Sequence, residues 1–85
     1  MDLAGSSGQE VLAVEAGTVT HVGSIAGRGT VSVLHSSGIR STYEPVDPTV
    51  STGSSVARGA PLGRLEDNGS HCAPTVCLHL GAVRG

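Results

Sequence analysis

The chain contains no Trp, no Phe and no Lys, and Tyr43 is its only aromatic residue. Without large rings, any core must be assembled from Val, Leu, Ile and Ala. Small domains already bury a low share of their surface, so 85 residues specify one domain, 1–85, with a modest core. Positive charge is also scarce. The five Arg residues, at positions 28, 40, 58, 64 and 84, form no run, and the net charge is −2, which leaves no basic footprint for nucleic acid. No apolar stretch approaches the ~20 residues of a membrane span. No apolar h-region follows Met1-Asp2 either, so the sequence shows no signal peptide. Work outside the cell then calls for an upstream segment or another carrier chain.

What the chain has in quantity is turn-forming residues. Gly accounts for 13 of the 85 positions, and Ser and Thr recur between short β-branched runs. No segment holds a 3.6-residue apolar period, so the pattern predicts an all-β fold. Strands are expected at Val11–Val14, Gly17–Val22, Thr30–His35, Ile39–Glu44, Leu62–Glu66 and Val76–Val83, in a compact antiparallel sandwich or barrel. Alternation assigns the faces. Val31, Val33 and His35 share one side of their strand, and Ser36-Ser37-Gly38 reads as a tight turn. Ile39, Ser41 and Tyr43 lie together, opposite Arg40, Thr42 and Glu44. Leu78 and Leu80 point one way; Cys77, His79 and Gly81 point the other.

Cys72 and Cys77 are the only cysteines. An even pair in a small β domain suggests a disulfide and an oxidising compartment, the other reading being two unreactive thiols. His21 and His35 read as surface or hydrogen-bonded core groups. Glu44, Glu66 and Asp67 read as solvated carboxylates near turns. Gly27-Arg28-Gly29 reads as a hairpin tip, because no helix follows that could make it a phosphate loop.

Two spaced Gly/Val segments, Val11-Leu-Ala-Val-Glu-Ala-Gly17-Thr-Val19 and Val50-Ser-Thr-Gly53-Ser-Ser-Val56-Ala-Arg-Gly59-Ala-Pro-Leu62-Gly63, resemble the hybrid β motif shared by lipoyl or biotinyl carriers and LytM-type peptidases. Carriers need a modifiable Lys, and the chain has none. Nearly the whole chain is similar to the lysostaphin/LytM-type zinc peptidases of bacterial cell walls. That family opens its site with His-x-x-x-Asp, and Met1-Asp2-Leu3-Ala4-Gly5 matches the Asp end; the paired His would fall three residues before Met1. It closes its site with His-x-His, which aligns with Cys77-Leu78-His79. Its Tyr-x-His aligns with Tyr43-Glu44-Pro45.

The resemblance implies Asp2 and His79 as zinc ligands, with Cys77 and Pro45 standing where the family carries accessory histidines. Catalytic zinc takes three protein ligands and keeps one position for water, whose pKa it lowers towards ~7. Two of the three are present. His71, the Met1 α-amino group and a Cys77 thiolate are further candidates for the third, ranked below an upstream His. Both ends of the domain read as incomplete, since Gly85 stops short of the family's usual tail. The implied function is a peptidoglycan metalloendopeptidase-like domain, weakly active or inactive, in the cell envelope or outside the cell. The alternative is a non-catalytic module that binds peptidoglycan peptides or regulates a partner wall hydrolase. A purely structural β domain ranks last.

Overall fold

A computed structural model describes residues 2–25, 27–66 and 76–84, and the side chains of all of these except positions 2, 25 and 76. Nine strands run in chain order: β1 Asp2–Gly5, β2 Glu10–Leu12, β3 Gly17–Ile25, β4 Arg28–Leu34, β5 Ile39–Glu44, β6 Val46–Pro48, β7 Ser55–Val56, β8 Pro61–Leu65 and β9 Val76–Arg84. They form a six-stranded sheet in the order β1-β9-β5-β4-β3-β7 and a three-stranded sheet in the order β2-β8-β6, with every pairing antiparallel. The expected all-β architecture is present. Three short strands, β1, β6 and β7, were not legible as runs: each has two to four residues, too few for alternation to show.

The core lies between the sheets. Val19, Val31, Val33 and Tyr43 of the large sheet meet Val11, Ala13, Val46, Leu62 and Leu65, and Leu78 and Leu80 pack against this cluster from β9. Alternation accounts for the choice: in β4, Val31 and Val33 point inward, and in β5 Ser41 and Tyr43 do the same. A register shift between Val19 and His21 marks a bulge in β3, after which both Thr20 and His21 are exposed while Val22 returns towards the core.

The turn expected at Ser36-Ser37-Gly38 joins β4 to β5. Gly38 has φ +86°, a left-handed conformation that Gly adopts at no steric cost, and its N–H donates to the His35 carbonyl at 3.0 Å. The β3–β4 hairpin turns slightly earlier than the sequence suggested: Ile25 pairs with Arg28, so Arg28 and Gly29 already belong to β4. Gly29 is needed there for another reason. A Cβ at this position would collide with the Val46 carbonyl oxygen of the smaller sheet.

The side of His35, Ser41 and Tyr43 that faces the core carries the only polar chain of the interior among the described residues. His35 Nδ1 lies 2.9 Å from the Ala16 carbonyl oxygen, which can only accept, so this nitrogen carries a proton. Nε2 is 2.8 Å from Ser41 Oγ, and Ser41 Oγ shares a 2.8 Å hydrogen bond with Tyr43 OH. The same phenol oxygen accepts the Val14 N–H at 3.1 Å. No buried side-chain polar atom among the described residues lacks a partner. His35 is therefore a satisfied core group, and His21 is a surface one.

Candidate metal and substrate face

With the aliphatic side chains of the large sheet turned inward, its other face is left to polar groups. On β9, Leu78 and Leu80 pack on the core, so His79 between them projects outward and is exposed. On β5, Tyr43 is fully buried, so Glu44 leaves from the outer face and is half-buried. The ladders align these strands. Asp2 of β1 sits directly across from His79, and Glu44 of β5 sits directly across from His79 on its other flank. Directly opposed residues have Cβ atoms roughly 4.5–5.5 Å apart. Asp2, His79 and Glu44 thus share one cross-strand row by backbone register.

The next row, two residues along each strand, is Gly81, Thr42, Ser32 and His21. Ser32 Oγ and Thr42 Oγ1 are 3.3 Å apart. With Thr20, Thr30 and Arg40 they line a shallow hollow rich in hydroxyl groups. A more enclosed cleft lies elsewhere. A cleft of about 300 Å³ opens between β1, β9 and β2, walled by Leu3, Leu12, Val14, Leu78 and Leu80. It is on the inner side of β9, away from His79, and its walls are mainly aliphatic, with Gln9, Glu10 and Tyr43 as the polar members. It accounts for the exposure of Leu3, Leu12 and Val14. The candidate site is the outer face.

The fates of the other sequence candidates follow. Pro45 is buried, in a cis Glu44–Pro45 peptide, at the corner where the chain leaves the large sheet for β6. Lacking an N–H, it ends the β5–β9 ladder, and its carbonyl accepts the Glu66 N–H at 3.0 Å. Cys77 is buried and disulfide-bonded, so its sulfur is not a thiolate and does not serve as a zinc ligand. Cys72, the only other cysteine, lies outside the described residues, as do Met1, Asp67 and His71. Glu66 is a correction. It is no loose surface carboxylate: its Oε1 accepts the Gly29 N–H at 3.0 Å and ties the end of β8 to the β3–β4 hairpin. Among the described side chains no three His, Cys, Asp or Glu converge as a metal site. The Asp2 side chain is not one of those described, and its place is given by the backbone register alone.

Comparison with known proteins decides the family. The sequence profile of Peptidase family M23 matches residues 1–84. The chain belongs to peptidase family M23. Its relatives include the uncharacterized protein Rv2891 of Mycobacterium tuberculosis and the uncharacterized protein Mb2915 of Mycobacterium bovis, each 41% identical across all 85 residues. The chain spans about a third of the length of these relatives (34%). Among solved structures, the catalytic domain of lysostaphin from Staphylococcus simulans superposes with a TM-score of 0.84 at 20% identity, covering 96% of this chain and 63% of that one. An M23 peptidase from Pseudomonas aeruginosa, so described as putative in its own name, gives 0.78 at 28% identity, over 93% of this chain and 36% of that one. The lysostaphin likeness establishes the fold. In this M23 domain Asp2 and His79, the two positions that the sequence resemblance implies as metal ligands, are neighbours across one ladder. Pro45 and disulfide-bonded Cys77, which the resemblance aligns with accessory histidines, carry no group able to exchange a proton.

Proposed function

We propose that this M23 domain acts on the peptide part of peptidoglycan, in the cell envelope or outside the cell, through a partial zinc site at Asp2 and His79, with weak hydrolysis or none. The observation that supports this reading is the direct pairing of Asp2 with His79 on the outer face. The donor set fits a divalent ion in part: one imidazole and one carboxylate are bound by zinc, and a third protein ligand is required. Zinc, when bound, would polarise a carbonyl and supply hydroxide near neutral pH.

The remaining work falls to the chain. The hydroxyl-rich hollow beside the row offers donors and acceptors for an extended peptide backbone, and exposed Arg40 offers a cation for a carboxylate. Proton transfer to a leaving amine needs a side chain such as imidazole, and neither Pro45 nor disulfide-bonded Cys77 provides one. This pair of replacements favours a second reading, a module that holds wall peptides or regulates a partner hydrolase without cutting.

Both readings are tested with purified peptidoglycan sacculi. The expected result is co-sedimentation of the chain with sacculi, and release of soluble muropeptides that is slow, zinc-dependent and lost in His79→Ala. Co-sedimentation without any release selects the binding module. Neither binding nor release would overturn the peptidoglycan assignment.

A further inference from the structure

We propose that the hydroxyl-rich hollow is a carboxylate subsite, in which Arg40 selects wall peptides that carry a free carboxylate group. The inference rests on the peptidoglycan reading above and names the group on the peptide that the domain reads.

The first support is relief across the sheet. Gly81, Thr42 and Ser32 stand side by side on β9, β5 and β4, and all three are small. A Cβ at Gly81 would meet nothing within 4 Å. The rows on either side are taller: His79 opposes Glu44 in one, and Arg40 stands between Val83 and Leu34 in the other. A trough therefore crosses the strands, with walls four residues or about 13 Å apart. One extended chain with its side chains fits that width, since packed sheets lie about 10 Å from each other.

The second support is a prepared floor. Thr30 and Ser32 belong to the outer face, yet they are only 2% and 7% exposed. Ser32 Oγ lies 3.3 Å from Thr42 Oγ1, and Thr30 Oγ1 donates to the Arg28 carbonyl at 3.4 Å. A floor held in this way loses little freedom when a ligand settles on it. The third is an uncommitted cation. Arg40 is exposed, lines the hollow, and its guanidinium forms no hydrogen bond or ion pair among the described residues.

The chemistry selects the ligand. Arg presents a planar fork of N–H donors that matches a carboxylate in two parallel hydrogen bonds. Thr42, two residues along the same face at about 7 Å, brings a hydroxyl that can donate to the same group. One fixed positive charge answers one negative charge. A phosphate, with a charge of about −1.5 to −2, would be left in excess and facing Glu44 across the trough. Leu34 and Val83, both exposed, flank Arg40 and suit an apolar side chain next to the carboxylate.

The test is NMR titration of the full chain, in zinc-free buffer so that nothing is cut, with soluble muropeptides from digested sacculi. The same muropeptides are titrated after every carboxylate has been converted to a methylamide. Wild type, Arg40→Gln, Arg40→Lys and Arg58→Gln are compared, with circular dichroism to confirm folding. Arg58 is exposed in the turn between β7 and β8, outside the hollow. We expect amidation to weaken wild-type binding by about ten-fold or more, the size of one charge-assisted pair. Arg40→Gln should weaken binding of the untreated muropeptides as much, and should bind both preparations alike. Arg40→Lys should restore part of the affinity, because it keeps the charge without the fork. Arg58→Gln should match wild type.

Synthetic Ala-Glu-Ala-Ala, compared with its end-amidated form and with a glutamine-for-glutamate form, tells a chain-end carboxylate from a side-chain one. Loss with either supports the subsite, and loss with neither overturns it. Wild type that binds both muropeptide preparations within about three-fold would overturn the inference and leave the peptidoglycan assignment standing. An Arg40→Gln variant that keeps the wild-type preference would overturn it too, by placing the carboxylate on another residue. Binding of neither preparation also overturns it, and the sacculus experiment then decides the peptidoglycan assignment by itself.

Discussion

The two faces of the six-stranded sheet are built by the same strands from alternate residues, yet their polar groups live under different rules. On the inner face His35, Ser41 and Tyr43 are joined end to end, from the Ala16 carbonyl to the Val14 N–H. On the outer face Asp2, His79 and Glu44 share a row, and Arg40 and His21 stand exposed beside it. A buried polar group with no partner costs about 1–3 kcal/mol, so the inner set is saturated by necessity. Water relieves the outer set of that demand, so an exposed group such as Arg40 can turn to a ligand without cost to the fold. The inner imidazole serves the fold; the outer one stands exposed on the face proposed to meet a ligand.

That contrast can be broken or sharpened by substitution. The largest effect belongs to the packed side. Leu62 is fully buried, and Leu62→Ala should destabilise the domain by roughly 2–5 kcal/mol, read from urea unfolding. A loss under about 1 kcal/mol would show that the thin interior relaxes around the cavity rather than resisting it. Next comes Tyr43→Phe, which keeps the ring but strips partners from the Val14 N–H and Ser41. It should cost about 1–3 kcal/mol, and a neutral result would mean that water replaces the phenol through the neighbouring cleft. The smallest effect is expected outside. His21→Ala should stay within about 0.5 kcal/mol of wild type by thermal unfolding while weakening attachment to sacculi. A stability loss as large as that of Tyr43→Phe would erase the distinction between the faces.

Much of this fold could be read from residues alone. Ile39–Glu44 was placed to the residue, because its alternation is clean and Gly38 sets its start. The side assignments of Val31, Val33, Tyr43 and Leu78 all match the observed core. The short strands escaped because two to four residues carry no period, and the bulge at Thr20 escaped because a one-residue shift leaves no mark in composition. In the candidate site, Asp2 and His79 were found through a motif, whereas Glu44 looked like any carboxylate near a turn. It lies beside His79, 35 positions away in the chain, and only strand pairing brings them together. Glu66 was missed for the same reason, since its partner Gly29 lies 37 positions away.

By itself the sequence determined the class of fold, the faces of the longer strands, the family motifs and the absence of a proton-carrying group at Pro45. These are local properties, set by side-chain period, turn chemistry and residue type. The tertiary structure decided which residues oppose which across the ladders, that Pro45 closes a buried corner, and that His35 and His79 stand on opposite faces of one sheet. Those outcomes depend on register, which the antiparallel pairing of β1, β9 and β5 fixes over long stretches of chain and no single segment encodes.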